Sequence, residues 1–168
     1  MKKILMASAL LALGSIAAQA QTPQPADWTT LTLTAAINKS ADVAWDKIGG
    51  NDWCGIAKYL DVKSCDINSG KGELGSVRTI NTGTATVVEI AVARTPRSYT
   101  YAQPFTPIFY HGTLAVEPVD KSHSRIVYTL IWNQTAVGDS AAQAAARDGR
   151  KTRFQAAVDK MAAAANGP

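Results

Sequence analysis

Histidine and cysteine are scarce in this chain, two of each among 168 residues. His111, His123, Cys54 and Cys65 lie scattered, without the short ligand spacings that hold a metal ion. No metal site and no cofactor are expected. A Ser-His-Asp set would depend on His111, inside a strand-like run, or on His123, in the turn "DKSHS", and both are poor general bases. The hydrolase elbow G-x-S-x-G, the zinc motif H-E-x-x-H, the Walker loop and the dinucleotide fingerprint are all missing. No catalytic residue is assigned on these grounds. Net charge is small as well. Seventeen Lys and Arg face thirteen Asp and Glu, giving +4. That balance is no case for nucleic acid or for a membrane surface as partner.

Long apolar runs are limited to the start. "MKKILMASALLALGSIAAQA", residues 1–20, has a basic opening, an apolar stretch and a small-x-small end. This is the pattern of a cleaved secretory signal, with the cut expected after Ala20. The stretch is too short and too rich in Ala, Gly and Ser for a stable membrane span. Cleavage would remove Lys2 and Lys3 and leave fifteen basic against thirteen acidic residues, +2. The chain is therefore expected to be periplasmic or secreted. In such a compartment Cys54 and Cys65 are favoured to form a disulfide, two buried thiols being the alternative. A polar Pro/Gln leader, residues 21–27, is expected to be disordered. Residues 28–166 are long enough for one domain with a real core.

Periodicity then orders the domain. "WTTLTLTAAI" alternates apolar residues with threonine and reads as a strand. "NKSADVAWDKIGG" reads as a short helix capped by Ser40, with Val43, Ala44 and Ile48 as its stripe. "NDWCGIAKYL" is a second short helical piece capped by Asn51 or Asp52. Six strand-like segments follow at 61–67, 74–80, 85–93, 98–103, 109–119 and 124–134. Short turns such as "NSGKG", "NTGT" and "RTPR" separate them, so an antiparallel meander is expected. One long helix closes the chain, capped by Asp139 or Ser140, with Phe154, Val158, Met161 and Ala165 on one stripe. Its cluster Arg147, Arg150, Lys151 and Arg153 reads mostly as a solvated face. Gly149 within it serves a close approach, a bend, or nothing in particular.

The expected fold class is α+β. A seven-stranded sheet with one long helix is covered only if the sheet curves round the helix, and a space is left between them. "SADVAWDKIG", "DWCGIAKYLDVKSCDI", "GELGSVRTI", "VVEIAV", "YHGTLAVEP" and "RIVYTLIWN", in this order, resemble the START/Bet v 1-like (SRPBCC) superfamily. The resemblance is closest to its polyketide cyclase/dehydrase-like branch and covers about 28–161. It implies a helix-grip fold: a curved seven-stranded antiparallel sheet wrapped round a long C-terminal helix, with two short helices after strand 1. It also implies a cavity for a small hydrophobic or amphipathic molecule. "NTGTA" is shorter than the gating loop of the related plant receptors, so closure of that type is not expected.

Strand alternation assigns the inner face. Ile126, Tyr128, Leu130 and Trp132 point inward on the last strand, and Tyr110, Gly112, Leu114 and Val116 on the one before, which leaves His111 outside. Tyr99 and Tyr101 share a face. In "VVEIAV" the pattern alone sends Val88, Ile90 and Val92 inward and Glu89 outward, whereas the resemblance implies that Glu89 lines the cavity. An inward Glu89 beside an inward Arg78 would relieve the desolvation cost of both. The pocket candidates are Arg78, Glu89, Tyr99, Tyr101, Tyr110, Tyr128, Trp132, Phe154 and Val158. Trp45 is expected on the long helix and Trp53 and Tyr59 at the cavity mouth; Lys58 and Lys63 read as surface. Arg78 either meets a ligand's polar end or only ties the sheet through Glu89. The expected function is ligand binding; a cyclase/dehydratase-like or hydrolytic enzyme, or an envelope protein with a filled cavity, are the alternatives.

Overall fold

The computed structural model describes residues 27–168. The expected signal, 1–20, and nearly all of the leader lie outside the described residues. Asp27, the last leader residue, is held in place: its backbone N–H donates to Thr135 Oγ1 at 3.1 Å, and its carbonyl accepts from Gln134 at 2.8 Å.

Seven antiparallel strands form one sheet: β1 (Trp28–Ile37), β2 (Ser64–Ser69), β3 (Val77–Asn81), β4 (Thr86–Thr95), β5 (Ser98–Ala102), β6 (His111–Pro118) and β7 (Ser124–Asn133). The order across the sheet is β1-β7-β6-β5-β4-β3-β2. Strands β2 to β7 are a meander, as the short turns dictate. β1 adds to the far edge by pairing with β7 from Trp28↔Asn133 to Ile37↔Ser124. Residues 38–63 carry the chain from one edge of the sheet to the other. They contain α1 (Ala41–Lys47) and a short 3-10 turn (Gly55–Tyr59). The long helix α2 (Ser140–Asn166) closes the fold. This is the helix-grip architecture.

Local chemistry explains most of the boundaries. Asp139 caps α2, its side chain accepting from Ala142 N at 2.9 Å. Ser40 makes no side-chain cap bond. The buried stripe of α1 is Ala41, Ala44 and Trp45, continuing into Ile48, while Val43 is 43% exposed. Val43 thus drops out of the expected stripe. Val43 and Ala44 are adjacent, about 100° apart on a helix, so they cannot both centre on one contact. Trp45 lies edge-on to Tyr99 of the sheet, with ring centroids 5.9 Å apart. Cys54 and Cys65 are joined by a disulfide that ties the 3-10 turn to β2.

Helix α2 is not held evenly. Its C-terminal half buries Ala157, Val158, Met161, Ala162 and Ala165 in the core with Leu33, Ile126 and Tyr128. Its end is pinned, Asn166 Oδ1 accepting from Asn38 N at 2.8 Å. The N-terminal half has no fully buried residue. It reaches the sheet through its flank, where Arg147 Nη1 donates to Thr29 Oγ1 at 2.8 Å and to the Thr30 carbonyl at 3.0 Å. That half stands off the sheet, and the gap beneath it is the cavity.

Candidate functional site

The cavity has a volume of about 380 Å³. Its sheet wall is built by Arg78 and Ile80 of β3, Val87 and Glu89 of β4, and Tyr101 of β5, extended by Gln103, Ile108 and Tyr110. Its roof is the stand-off half of α2: Ala146, Gly149, Arg150, Arg153 and Phe154. Leu60, Val62 and Thr82 close the β2–β3 side.

Arg78 and Glu89 are direct cross-strand partners, so their side chains share a face. That face is the inner one: Arg78 is 1% exposed and Glu89 3%. The inward set of β4 is Val87, Glu89 and Ala91. The apolar pattern of this strand therefore points the wrong way: Val88 and Ile90 lie half-buried on the outer side, and Val92 is 42% exposed. The reason is tertiary. A buried carboxylate becomes tolerable once a guanidinium sits opposite it, which a single strand's pattern cannot show.

The pair is closely bound. Arg78 Nε donates to Glu89 Oε2 at 2.8 Å, and Nη2 lies 2.6 Å from the same oxygen. Nη1 donates to the Trp53 carbonyl. The other glutamate oxygen accepts from Gln103 Nε2 at 2.8 Å. The guanidinium is stacked 4.1 Å from the Trp53 ring and lies 5.2 Å from that of Tyr101. Burial pulls the guanidinium down, but Tyr99, Glu89 and Tyr101 around it more than offset this and hold it above its ordinary range. Arg78 thus forms part of the cavity floor, with Nε and Nη1 bonded within the protein and Nη2 in ion contact with Glu89 but without a well-aligned hydrogen bond.

Aromatic side chains continue the floor. Tyr101 OH and Tyr128 OH share a hydrogen bond of 2.6 Å. The Tyr101 ring lies over Gly112, where a Cβ would fall 2.3 Å from its Cζ. A glycine is required there to admit the ring. Tyr110 faces Phe154 of α2, with centroids 6.4 Å apart, and its buried hydroxyl has no hydrogen-bond partner. Burial pushes the phenols of Tyr101, Tyr110 and Tyr128 well above their ordinary range, and that of Tyr99 to about 12. All four remain hydroxyls at neutral pH.

Of the nine candidates, Arg78, Glu89, Tyr101, Tyr110 and Phe154 line the cavity. Tyr99, Tyr128, Trp132 and Val158 do not. They are fully buried in the core: Tyr99, Tyr128 and Val158 where β5–β7 pack on α1 and the C-terminal half of α2, and Trp132 beneath the Arg150 guanidinium. Trp53 is also buried, its ring taken by Arg78, so it does not edge the mouth. Tyr59 borders a neighbouring groove with Leu60, Gly149 and Arg153 instead. His111 is half-buried between Trp28 and Phe109 on the outer side.

The basic cluster of α2 divides. Lys151 is exposed and Arg147 holds β1. Arg147, Lys151 and Arg153 are exposed, as a mostly solvated face requires; Arg150 is half-buried, and both it and the exposed Arg153 border the cavity. The signal was present in the sequence: positions 146, 149, 150, 153 and 154 share one helical face. Gly149 serves neither close approach nor contact, since a Cβ there would meet nothing within 4 Å. Among the described residues no group of His, Cys, Asp and Glu could hold a metal ion, and no helix is long and apolar enough to cross a membrane.

Structural likeness agrees with this architecture. A solution structure of a protein from Thermobifida fusca matches with a TM-score of 0.60 at 21% identity, covering 79% of this chain and 92% of that one. A protein from Bacillus thuringiensis matches with 0.60 at 20% identity, over 79% and 98%. The crystal structure of Ara h 8.0201 matches with 0.52 at 15% identity, over 80% and 98%. No curated protein matches the chain. The family model described as "Polyketide cyclase / dehydrase and lipid transport" matches residues 29–166. With that match over almost all of the described domain, the chain belongs to this family, within the START/Bet v 1-like superfamily.

Proposed function

We propose that this protein is an exported binding protein that carries a small amphipathic molecule in the cavity between the sheet and α2. Family membership points to a hydrophobic ligand. The observation that carries the reading is the gap under the N-terminal half of α2, about 380 Å³ and walled by Leu60, Val62, Ile80, Val87, Ile108 and Phe154. That volume is in the range of small-molecule pockets. Apolar walls with a few fixed polar groups are what binding of a partly polar molecule requires. A filled cavity with a purely surface role is disfavoured by the same gap.

Enzymatic use of the cavity finds less support. A general base needs a free acceptor, and both oxygens of Glu89 are occupied, by Arg78 and Gln103. The phenols are held neutral by burial. Export rests on the signal pattern of residues 1–20 and is consistent with the Cys54–Cys65 disulfide.

The test is native mass spectrometry of protein purified from the periplasm of an expressing bacterium, with extraction of whatever is bound. It is paired with Gly149→Phe, which places a ring where no atom stands. The expected result is a bound small molecule in the wild type and its loss in the variant, with the fold retained. Absence of any bound species, together with no thermal shift from a panel of lipids and aromatic compounds, would refute the reading.

A further inference from the structure

The charges around the cavity do not balance. Arg78, Arg150 and Arg153 line it, against one carboxylate, Glu89. Glu89 is consumed by Arg78. Among the described residues, no carboxylate lies within ion-pair distance of Arg150 or Arg153. Arg150 is half-buried, and its one hydrogen bond, at 3.2 Å, goes to the Ala146 carbonyl of its own helix. Its guanidinium sits 4.7 Å from the centre of the Trp132 ring, which fixes its position over the sheet.

Below it is the unpartnered, buried hydroxyl of Tyr110. A buried polar group without a partner is costly; the Tyr99 hydroxyl, the Trp53 and Trp132 indoles and Arg78 Nη2 share that state, but only Tyr110 and Arg78 also line the cavity, where a ligand can reach them. The two features belong together. Burial raises the Tyr110 phenol; the neighbouring Tyr101 hydroxyl acts first in the opposite sense, and Arg150 and Arg153 are near enough to add to it. Burial likewise lowers the Arg150 guanidinium, as expected of a cation that has lost water without gaining a counter-ion.

We infer that the cavity selects a ligand with a single anionic head, held by Arg150, Arg153 and the Tyr110 hydroxyl, with its apolar body between Phe154 and the Ile80–Val87 wall. This rests on the cavity-binding reading and adds the chemical class of the ligand. It moves the anchoring role from Arg78, whose charge is already answered, to the helix. A half-buried Arg150, an exposed Arg153 at the rim and a buried hydroxyl suit a carboxylate, because charge-assisted bonds are strong and screening is reduced at Arg150. A fatty acid and an aromatic acid share this chemistry.

The experiment is calorimetric titration of the ligand-stripped protein with head-matched probes. One set is decanoate, decan-1-ol and decyltrimethylammonium; the other is 2-naphthoate and 2-naphthol. Each is repeated on Arg150→Gln/Arg153→Gln, on Arg153→Gln alone and on Arg150→Lys. The expected result is a preference of about tenfold or more for the acid over its alcohol in the wild type. That preference shrinks in Arg153→Gln, is largely kept in Arg150→Lys and collapses towards unity in the double variant. The better-bound acid shows whether chain or ring suits the body of the cavity. Equal affinity for acid and alcohol, stronger binding of the cation, or a preference that survives in the double variant overturns the anionic-head inference while leaving the cavity reading intact. If no probe binds, neutral ones included, the cavity reading falls and the inference with it.

Discussion

Removing Arg78 should damage the fold before it damages binding. Arg78→Met leaves Glu89 3% exposed with Gln103 as its remaining hydrogen-bond partner, and strips the Trp53 carbonyl of its donor. Breaking one side of a buried ion pair costs about 3–5 kcal/mol, because the other charge stays buried. Domains of this kind hold about 5–15 kcal/mol in total, so the variant should be close to unfolding. Glu89→Leu should cost a similar amount, since it strands a guanidinium that is 1% exposed between Trp53 and Tyr101. The double variant Arg78→Met/Glu89→Leu removes both charges at similar volume. Gln103 and the Trp53 carbonyl still lose partners, at about 1–3 kcal/mol each. The double variant should nevertheless be far less destabilised than the sum of the two singles, with a coupling of about 2 kcal/mol or more. Urea denaturation of the four proteins, with slopes compared to check that the unfolding reaction is unchanged, gives the cycle. Singles costing less than about 1 kcal/mol, or effects that simply add, would refute the view that this pair ties β3, β4 and the Trp53 segment together. Ligand affinity measured in the double variant then separates the two roles. Binding that survives there places the anchor elsewhere, as the helix arginines imply.

Three further outcomes can be checked separately. Gly112→Ala sets a Cβ 2.3 Å from the Tyr101 ring and must displace it from Tyr128; a loss of about 1–3 kcal/mol in denaturant unfolding is expected, and an unaffected midpoint would contradict the packing. The buried tyrosines make the fold sensitive to alkali. Their folded-state pKa lies above the unfolded value of about 10, so the stability they contribute is intact below about pH 10 and is lost as pH rises further. Tyr99 alone, held at about 12 by burial, accounts for about 2–3 kcal/mol, read as a falling urea midpoint that tracks tyrosinate absorbance. Reducing the Cys54–Cys65 bond, whose cysteines are 11 residues apart, should cost about 3 kcal/mol; identical melting with and without reductant would show that the bond adds nothing.

Much of the fold could be read directly because its signals are local. Alternation in "SRIVYTLIWN" places Ile126, Tyr128, Leu130 and Trp132 on the buried face, and the structure has all four there. The Asp139 cap and the short turns fix the ends of α2 and the meander. The site was less legible. Glu89 stands in a run whose neighbours are all apolar, so pattern sends it outward; only the resemblance kept it inside. Tyr99 and Tyr101 share a face, yet one lies in the solid core and the other in the cavity wall, because the distance between sheet and helix varies along α2. The basic cluster of α2 is mostly exposed, as its composition implies, and only the spacing of 146, 149, 150, 153 and 154 hints that Arg150 and Arg153 also border a cavity.

What the sequence determined by itself was the order of elements, the inner face of most strands and the class of fold, since periodicity, capping and turn chemistry act within a few residues. What the tertiary structure decided was where that fold is hollow. The C-terminal half of α2 brings Val158, Met161 and Ala165 against the sheet and closes the core, while the half bearing Gly149, Arg150 and Arg153 stands away from it. Buried charge follows the same logic: the charge of Arg78 is paired because Glu89 faces it across two strands, and among the described residues nothing acidic pairs Arg150. Neither fact is a property of any one segment. Both depend on distances between segments that only packing sets.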